Sequence, residues 1–439
     1  MPTLNDILLQ SIRETQSYRR LVRELERAKP GRAVSMKGLR AGALAGLTAA
    51  LAHVGSRSNV PANAERSART TEEAGHLSKL ASRTASHESG AVGRDSATHR
   101  PSLIVLVTAN VERAAELADE VAFFGLPQVF HYPKSQLLPY EPDEPYLEEQ
   151  VKHLEFFHHL ASLGEKPRRP DITDHPASVC VTSIEALFAR VAPLEMVRKH
   201  RIEIQWGQPF DTQAFAQWAT ELGYERVPTV EARGEFSIRG GIVDIFPLHT
   251  EHALRIDLFG LEIESIRWFD VHTQRSLRQL GELESVTILP ARERVLIEAA
   301  LATAPLSLHD SNAAEDHVSG DGTSDNQGGR TPSELPLVQL LDLLPPDALL
   351  VFDNAELYPL LDERFRQVRE RQYREYSARS DHLPAPSILY ADLQQVMSRA
   401  SQFVQIHHTL LAETPATISI ETHSFETMPP SFEKYLTEF

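Results

Sequence analysis

Apolar and polar positions follow two periods along this chain, and the switches between them mark its organisation. Leu4, Leu8, Ile12, Leu21 and Leu25 recur at helical spacing and predict one amphipathic helix over residues 4–29, stopped at Pro30. Val34 to Thr48 then reads as a strand, a glycine turn and an alanine-rich helix. Short strand-like runs follow at Leu103–Val107, Val129–His131 and Val179–Thr182. Helical patterns cover Val111 to Phe124, Tyr146 to about Leu163, and Ile184 to Val191, the last with Ser183 placed to cap it. Strands alternating with helices at this spacing predict a parallel sheet covered on both faces.

After Ala192 the texture becomes antiparallel. Ile202–Ile204 reads as a strand, Thr212 to Gly223 as a helix ended by glycine, and Leu254 to Phe269 as a hairpin. With the ribbon described below, these complete a compact α+β module reaching Leu289. The α/β texture then returns. It gives a short helix from Leu337 to Leu344, a buried strand from Ala348 to Asn354, a long charged helix from Ala355 to about Ser380, and a last strand at Thr417–Ile420.

Two polar tracts interrupt these patterns. From Gly55 to Arg100 the large aliphatics are Val60, Leu77, Leu80 and Val92, too few to offset the entropy of ordering the segment. Thr303 to Glu334 is similarly poor in apolar residues and rich in Asp, Ser and Gly. The expected organisation is a parallel-sheet lobe in two segments, 1–54 with 101–191 and 335–439, around an inserted module at 192–302. Residues 55–100 are expected to be a disordered insertion and 303–334 a disordered linker.

The most distinctive stretch is Gly234-Glu235-Phe236-Ser237-Ile238-Arg239-Gly240-Gly241-Ile242-Val243-Asp244-Ile245-Phe246-Pro247. Phe236 and Ile238 alternate with polar residues, as in a half-buried strand, but beyond the glycines the parity of the apolar positions slips. A glycine pair at such a slip predicts a bulge or a sharp bend, with Arg239 at its apex. With Leu254–Gly260 following as another alternating strand, the ribbon predicts an antiparallel sheet with one wet face.

Composition changes this picture little. Among 439 residues, 41% are hydrophobic and 24% charged, as in an ordinary soluble protein, and the net charge of −17 argues against indiscriminate nucleic-acid binding. The single cysteine, Cys180, lies in a buried-strand pattern and suits a reducing cytoplasm. No run approaches the ~18 apolar residues of a membrane span, so a cytoplasmic protein is expected.

Candidate chemistry is mostly absent. The Val34–Thr48 layout imitates a phosphate-binding loop but lacks G-x-x-x-x-G-K-[ST], because neither Gly38 nor Gly42 has Gly-Lys at the required offset. The strand ending at Asp353 is where a nucleotide hydrolase would hold magnesium beside a second acidic residue. Here Asn354 takes that neighbouring place. His153, His158 and His159 share a helix without the spacing of a metal pair and read as surface histidines. Asp321–Asp325 lacks the order of a calcium loop. No catalytic residue, metal or cofactor is expected. Arg226, Arg233, Arg239, Arg255 and Arg267 remain, and they are read equally well as structural ion pairs with neighbouring carboxylates or as a docking face.

The ribbon strongly resembles the G-E-F-x-x-R-G-G-I-[IV]-D-I-F-P signature of the bacterial transcription-repair coupling factor family (Mfd), which the excision nuclease subunit UvrB carries in a related form. Leu138-Pro139-Tyr140-Glu141, Phe269-Asp270-Val271-His272-Thr273-Gln274-Arg275-Ser276 and Leu289-Pro290-Ala291-Arg292-Glu293 agree with the same family. The resemblance implies an α/β fold: a degenerate RecA-like (P-loop NTPase-type) lobe carrying an inserted α+β module that recruits UvrA, the damage-recognition ATPase. Carried over by motif, the UvrA contacts are Arg239 and Phe246 on the ribbon and Arg226 from the preceding turn. The family's polymerase-binding and motor parts would begin where this chain stops at Phe439, so a fragment, split gene product or truncated reading frame is expected. The expected function is non-catalytic recruitment of UvrA. The rivals are a nucleotide-dependent DNA translocase component and an accessory damaged-DNA-binding protein.

Overall fold

Seven parallel strands form the centre of the computed structural model, which describes residues 3–37, 39, 43–53, 101–135, 147–165, 176–302, 336–378, 383–409 and 418–419. The tracts 55–100 and 303–334 and the Leu138-Pro139-Tyr140-Glu141 motif lie outside the described residues. The expected single N-terminal helix is two, α1 (Leu4–Glu14) and α2 (Gln16–Glu26). Thr15 breaks it: its extended backbone (φ −63°, ψ 143°) ends α1, and its side chain accepts the Tyr18 amide to cap α2.

Next come β1 (Ala33–Lys37), α3 (Ala43–Ala52), β2 (Leu103–Thr108), α4 (Val111–Phe123), β3 (Val129–Tyr132) and α5 (Leu147–Glu165). They are followed by β4 (Ser178–Ser183), α6 (Ile184–Phe188), β5 (Arg190–Val191) and α7 (Leu194–His200). The antiparallel part comprises β6 (Ile202–Gln205), α8 (Thr212–Glu221), β7 (Glu225–Arg226), β8 (Glu235–Arg239) and β9 (Ile242–Ile245). It continues through β10 (Ala253–Phe259), β11 (Glu262–Asp270), β12 (Arg275–Ser276), β13 (Ser285–Ile288) and α9 (Glu293–Ala302). The chain returns with β14 (Val338–Gln339), β15 (Leu349–Asp353), α10 (Tyr358–Ser377), α11 (Pro386–Leu389), α12 (Leu393–Ala400), β16 (Val404–Thr409) and β17 (Ile418–Ser419). The helix expected at Leu337–Leu344 is β14 and a 3₁₀ turn, Leu340–Leu343, instead.

The parallel sheet runs β17-β1-β16-β15-β2-β4-β3, and every pairing in it is parallel. β15 and β16 fill the gap between β1 and β2, so the two α/β stretches flanking the module build one sheet. Its strands are apolar on both faces because both are covered. Leu103, Val105, Val107, Leu350 and Phe352 point into a core with α5, α6 and α12, while Ile104, Leu106, Leu349 and Val351 point into a second core with α1 to α4. Among the described residues, no helix is long and apolar enough to cross a membrane.

The first of these cores extends without interruption into the module, where Phe215, Phe236, Val243, Ile245, Leu254 and Ile256 belong to it. A polar contact joins the same two parts. His153 of α5 has Nδ1 2.6 Å from a Glu293 carboxylate oxygen at the start of α9 and Nε2 2.9 Å from the Pro133 carbonyl. Together the carboxylate and the carbonyl favour the doubly protonated ring and outweigh burial, which raises the His153 pKa above its ordinary value. Tyr132 stacks on it, ring centres 4.2 Å apart. His153 and His159 are therefore not surface histidines: both are buried, by partners far away in sequence.

Candidate functional site

The module's main sheet runs β12-β11-β10-β9-β8-β7, antiparallel except between β7 and β8. The slip in the ribbon is the mark of a hairpin. Phe236 faces Ile245, Ser237 faces Asp244, Ile238 faces Val243 and Arg239 faces Ile242, leaving Gly240-Gly241 as a two-residue loop. Partners across an antiparallel pair share a face, so an even-numbered apolar set on β8 is continued by an odd-numbered one on β9. Gly240 takes φ +60°, and a Cβ at Gly241 would lie 2.9 Å from the Leu258 carbonyl oxygen, so the loop closes tightly against β10.

The opposite face carries Ser237, Arg239, Asp244, Arg255, Asp257, Ser265 and Arg267. At its centre Asp244 is fully buried and accepts from two arginines. Arg255 reaches it through Nε (2.7 Å) and Nη2 (2.9 Å), and Arg239 through Nη2 (2.7 Å). Hydrogen bonding to Asp244 raises the Arg255 pKa further above its ordinary value, against the opposing effect of burial. Arg255 also lies over the Phe269 ring at 4.6 Å and donates to the Gln274 carbonyl. Gln274 takes φ +57° in the turn between β11 and β12, and its amide donates to the Val230 and Val271 carbonyls. The Asp270 carboxylate accepts the Thr273 amide in the same turn. The Phe269–Ser276 motif thus builds the bracket behind Arg255. Arg267 is held apart from this centre by Asp257 and Glu282, at 3.2 Å each.

The three residues singled out by motif are in three different situations. Arg239 ends β8 with its side chain 47% exposed, so its guanidinium is oriented by Asp244 and open to solvent. Arg226 is exposed on the edge strand β7. Phe246 corrects the expectation of an exposed contact. It is 9% exposed, packed with Val230, Ala253 and Phe269, and covered by the Arg233 guanidinium at 5.6 Å. Its ring supports the sheet from within. Arg255 takes the ion-pair reading that its sequence left open, holding Asp244 from β10. Its signal in the sequence is the opposition of Asp244 and Arg255 once the hairpin register is known.

The carboxyl edge of the parallel sheet is arranged differently. Asp353, at the end of β15, has a carboxylate oxygen 2.7 Å from His408 Nδ1 on β16, and the Asn354 amide donates to the same oxygen. Asn354 is left-handed (φ 53°) and Tyr358 donates to the Val107 and Asp353 carbonyls, which closes the strand end. A cleft of about 480 Å³ beside it is lined by Asn110, Lys134, Glu185, Leu361, Arg364 and Phe365 among others, with Lys134 paired to Glu185 at 2.6 Å. Among the described residues, no three His, Cys, Asp or Glu side chains are grouped to hold a metal ion.

Residues 202–293, which contain the arginine face, match the model of the UvrB interaction domain family. The chain is also similar to transcription-repair-coupling factors. It is 29% identical to that of Bacillus subtilis over 294 residues, 62% of this chain and 23% of the relative. It is 33% identical to that of Myxococcus xanthus over 205 residues (44% and 16%) and 28% to that of Escherichia coli over 198 (45% and 16%). The matched part is less than a quarter of the length of these curated relatives. Within the matched segment, the buried Asp244 with its two arginines is the polar centre of the sheet, and β6, α8 and β13 complete the segment.

Proposed function

We propose that the chain acts in transcription-coupled nucleotide excision repair as a non-catalytic recruitment module that binds UvrA through the polar face of the UvrB interaction domain. The observation that carries this reading is Arg239, half exposed and oriented by the buried Asp244. One carboxylate faces two arginines there, so the centre of the face keeps an excess positive charge on a rigid sheet. A planar guanidinium presented in this way suits bidentate binding of a partner carboxylate. Arg226 lies on the same sheet as a weaker contact.

The seven-stranded sheet is, on this reading, a degenerate RecA-like lobe whose nucleotide chemistry is gone. Two features support that view. Lys37 precedes the turn where a phosphate-binding lysine should follow Gly, and Asp353 is engaged by His408 and Asn354. The lobe then serves as the mount for the interaction domain. The test is a pull-down of UvrA by the whole chain, with Arg239→Glu beside it and ATP hydrolysis assayed in parallel. Retention of UvrA only by the unaltered chain, with no hydrolysis, supports the reading. Measurable ATP turnover would favour a translocase component.

A further inference from the structure

The end of the module's sheet carries large apolar side chains in water. Phe259 and Leu261 flank Gly260 at the tip of the β10–β11 hairpin and are 80% and 77% exposed, and Trp206 is 65% exposed. They do not sit on a loose loop. The backbone from Trp206 to Phe210 forms a turn and a single antiparallel bridge, Pro209 with Glu262, and is hydrogen-bonded to β11. Gly207 N–H donates to Ile263 O (2.9 Å), Ile263 N–H to Gln208 O (3.0 Å) and Phe210 N–H to Leu261 O (2.7 Å). The Trp206 indole N–H donates to the Glu264 carbonyl at 2.8 Å, which fixes the ring with its apolar surface outward. Exposed apolar groups on a laddered platform lose little further conformational entropy when covered, as at the hot spots of protein interfaces.

The surroundings of the patch say what would cover it. The stretches 202–210, 258–264 and 281–287 contribute Glu203, Glu262, Glu264, Glu282 and Glu284 and not one lysine or arginine. Glu282 is taken by Arg267; Glu262 and Glu264 are exposed on β11 at and beside the tip, and Glu203 and Glu284 are exposed on the Trp206 side, on β6 and just before β13. Such a rim repels nucleic acid and anionic bilayers and attracts cations. We infer that the Trp206–Phe259–Leu261 patch is a second protein-docking surface, whose occupant is a basic amphipathic segment with apolar side chains on one face and Lys or Arg beside them. The patch uses none of Arg239, Asp244 and Arg255, though the β8–β9 loop that follows Arg239 meets β10 at Leu258, beside Phe259.

The test uses the whole chain and a 14-residue amphipathic peptide of leucine and lysine, with a leucine–glutamate peptide of the same pattern as control. Trp206 is the exposed tryptophan, and Trp218 and Trp268 are half-buried, so a blue shift of emission reports covering of the patch. The expected result is a blue shift with the lysine peptide alone, weakened at least tenfold by Phe259→Ser with Leu261→Ser. Glu262→Lys with Glu264→Lys, which keeps the apolar groups, should transfer the preference to the glutamate peptide. Equal response to both peptides, or unchanged binding by the serine variant, would overturn the inference. So would a shift on phosphatidylglycerol vesicles and not on the lysine peptide.

Discussion

Asp244 and Arg255 lie opposite each other on β9 and β10 and meet through two hydrogen bonds of 2.7 and 2.9 Å, with the carboxylate wholly buried and the guanidinium backed by Phe269. Removing one partner leaves the other charge poorly solvated. Asp244→Ala should therefore destabilise the fold by about 3–5 kcal/mol, the range for breaking a buried ion pair from one side. Arg239→Ala should cost no more than about 1 kcal/mol, since half of that side chain is in water. Urea unfolding of the two variants against the unaltered chain measures the contrast.

The hairpin loop gives a second test. A methyl group at Gly241 would meet the backbone oxygen of Leu258, which has no side-chain freedom with which to yield. Gly241→Ala should lower stability by about 1–3 kcal/mol through overpacking. Gly207→Ala has open space around it and a φ of +76°, so only backbone strain of about 1 kcal/mol is expected there. Thermal melts of the pair separate crowding from strain.

Buried histidines should limit stability on both sides of neutrality. Burial lowers the pKa of His249 to about 3 and that of His159 to about 4. Their neutral forms are favoured in the fold, so their contribution is present above about pH 6.5 and is lost as pH falls from there towards 4. His153 has the opposite sign. Burial opposes its charge, but Glu293 and the Pro133 carbonyl outweigh that and raise its pKa. Its contribution is complete below about pH 6.5 and disappears as pH rises through the elevated value. Urea midpoints from pH 5 to 9 should trace a dome. His153→Gln should flatten its alkaline side and His249→Asn its acid side.

Much of this fold is legible in local pattern. β2 and β15 are nearly continuous apolar runs, and β4 has the apolar centre Val179–Val181, because both faces of their sheet are covered, and the two-residue parity of the ribbon reads out its faces. β16 escapes notice because Gln405, His407 and His408 interrupt it. Gln405 and His408 can be buried there only because the Ala400 carbonyl and Asp353 receive their hydrogen bonds. The break between α1 and α2 carries neither Pro nor Gly, only the capping side chain of Thr15. His153 looks like a surface residue until Glu293, 140 positions away, is brought beside it. At the site, the exposure of Arg239 was legible in the ribbon. The burial of Phe246 was not, because Val230 and Phe269 come from other turns and strands.

The most direct test of the proposed recruitment role is the affinity of the whole chain for purified UvrA, measured by calorimetry with and without Arg239→Glu. The expected result is binding by the unaltered chain and a loss of about 2–4 kcal/mol in the variant, the size of an interface hot spot, with the variant still folded at the assay temperature. Equal affinities of the two proteins for UvrA would contradict the assignment of this face.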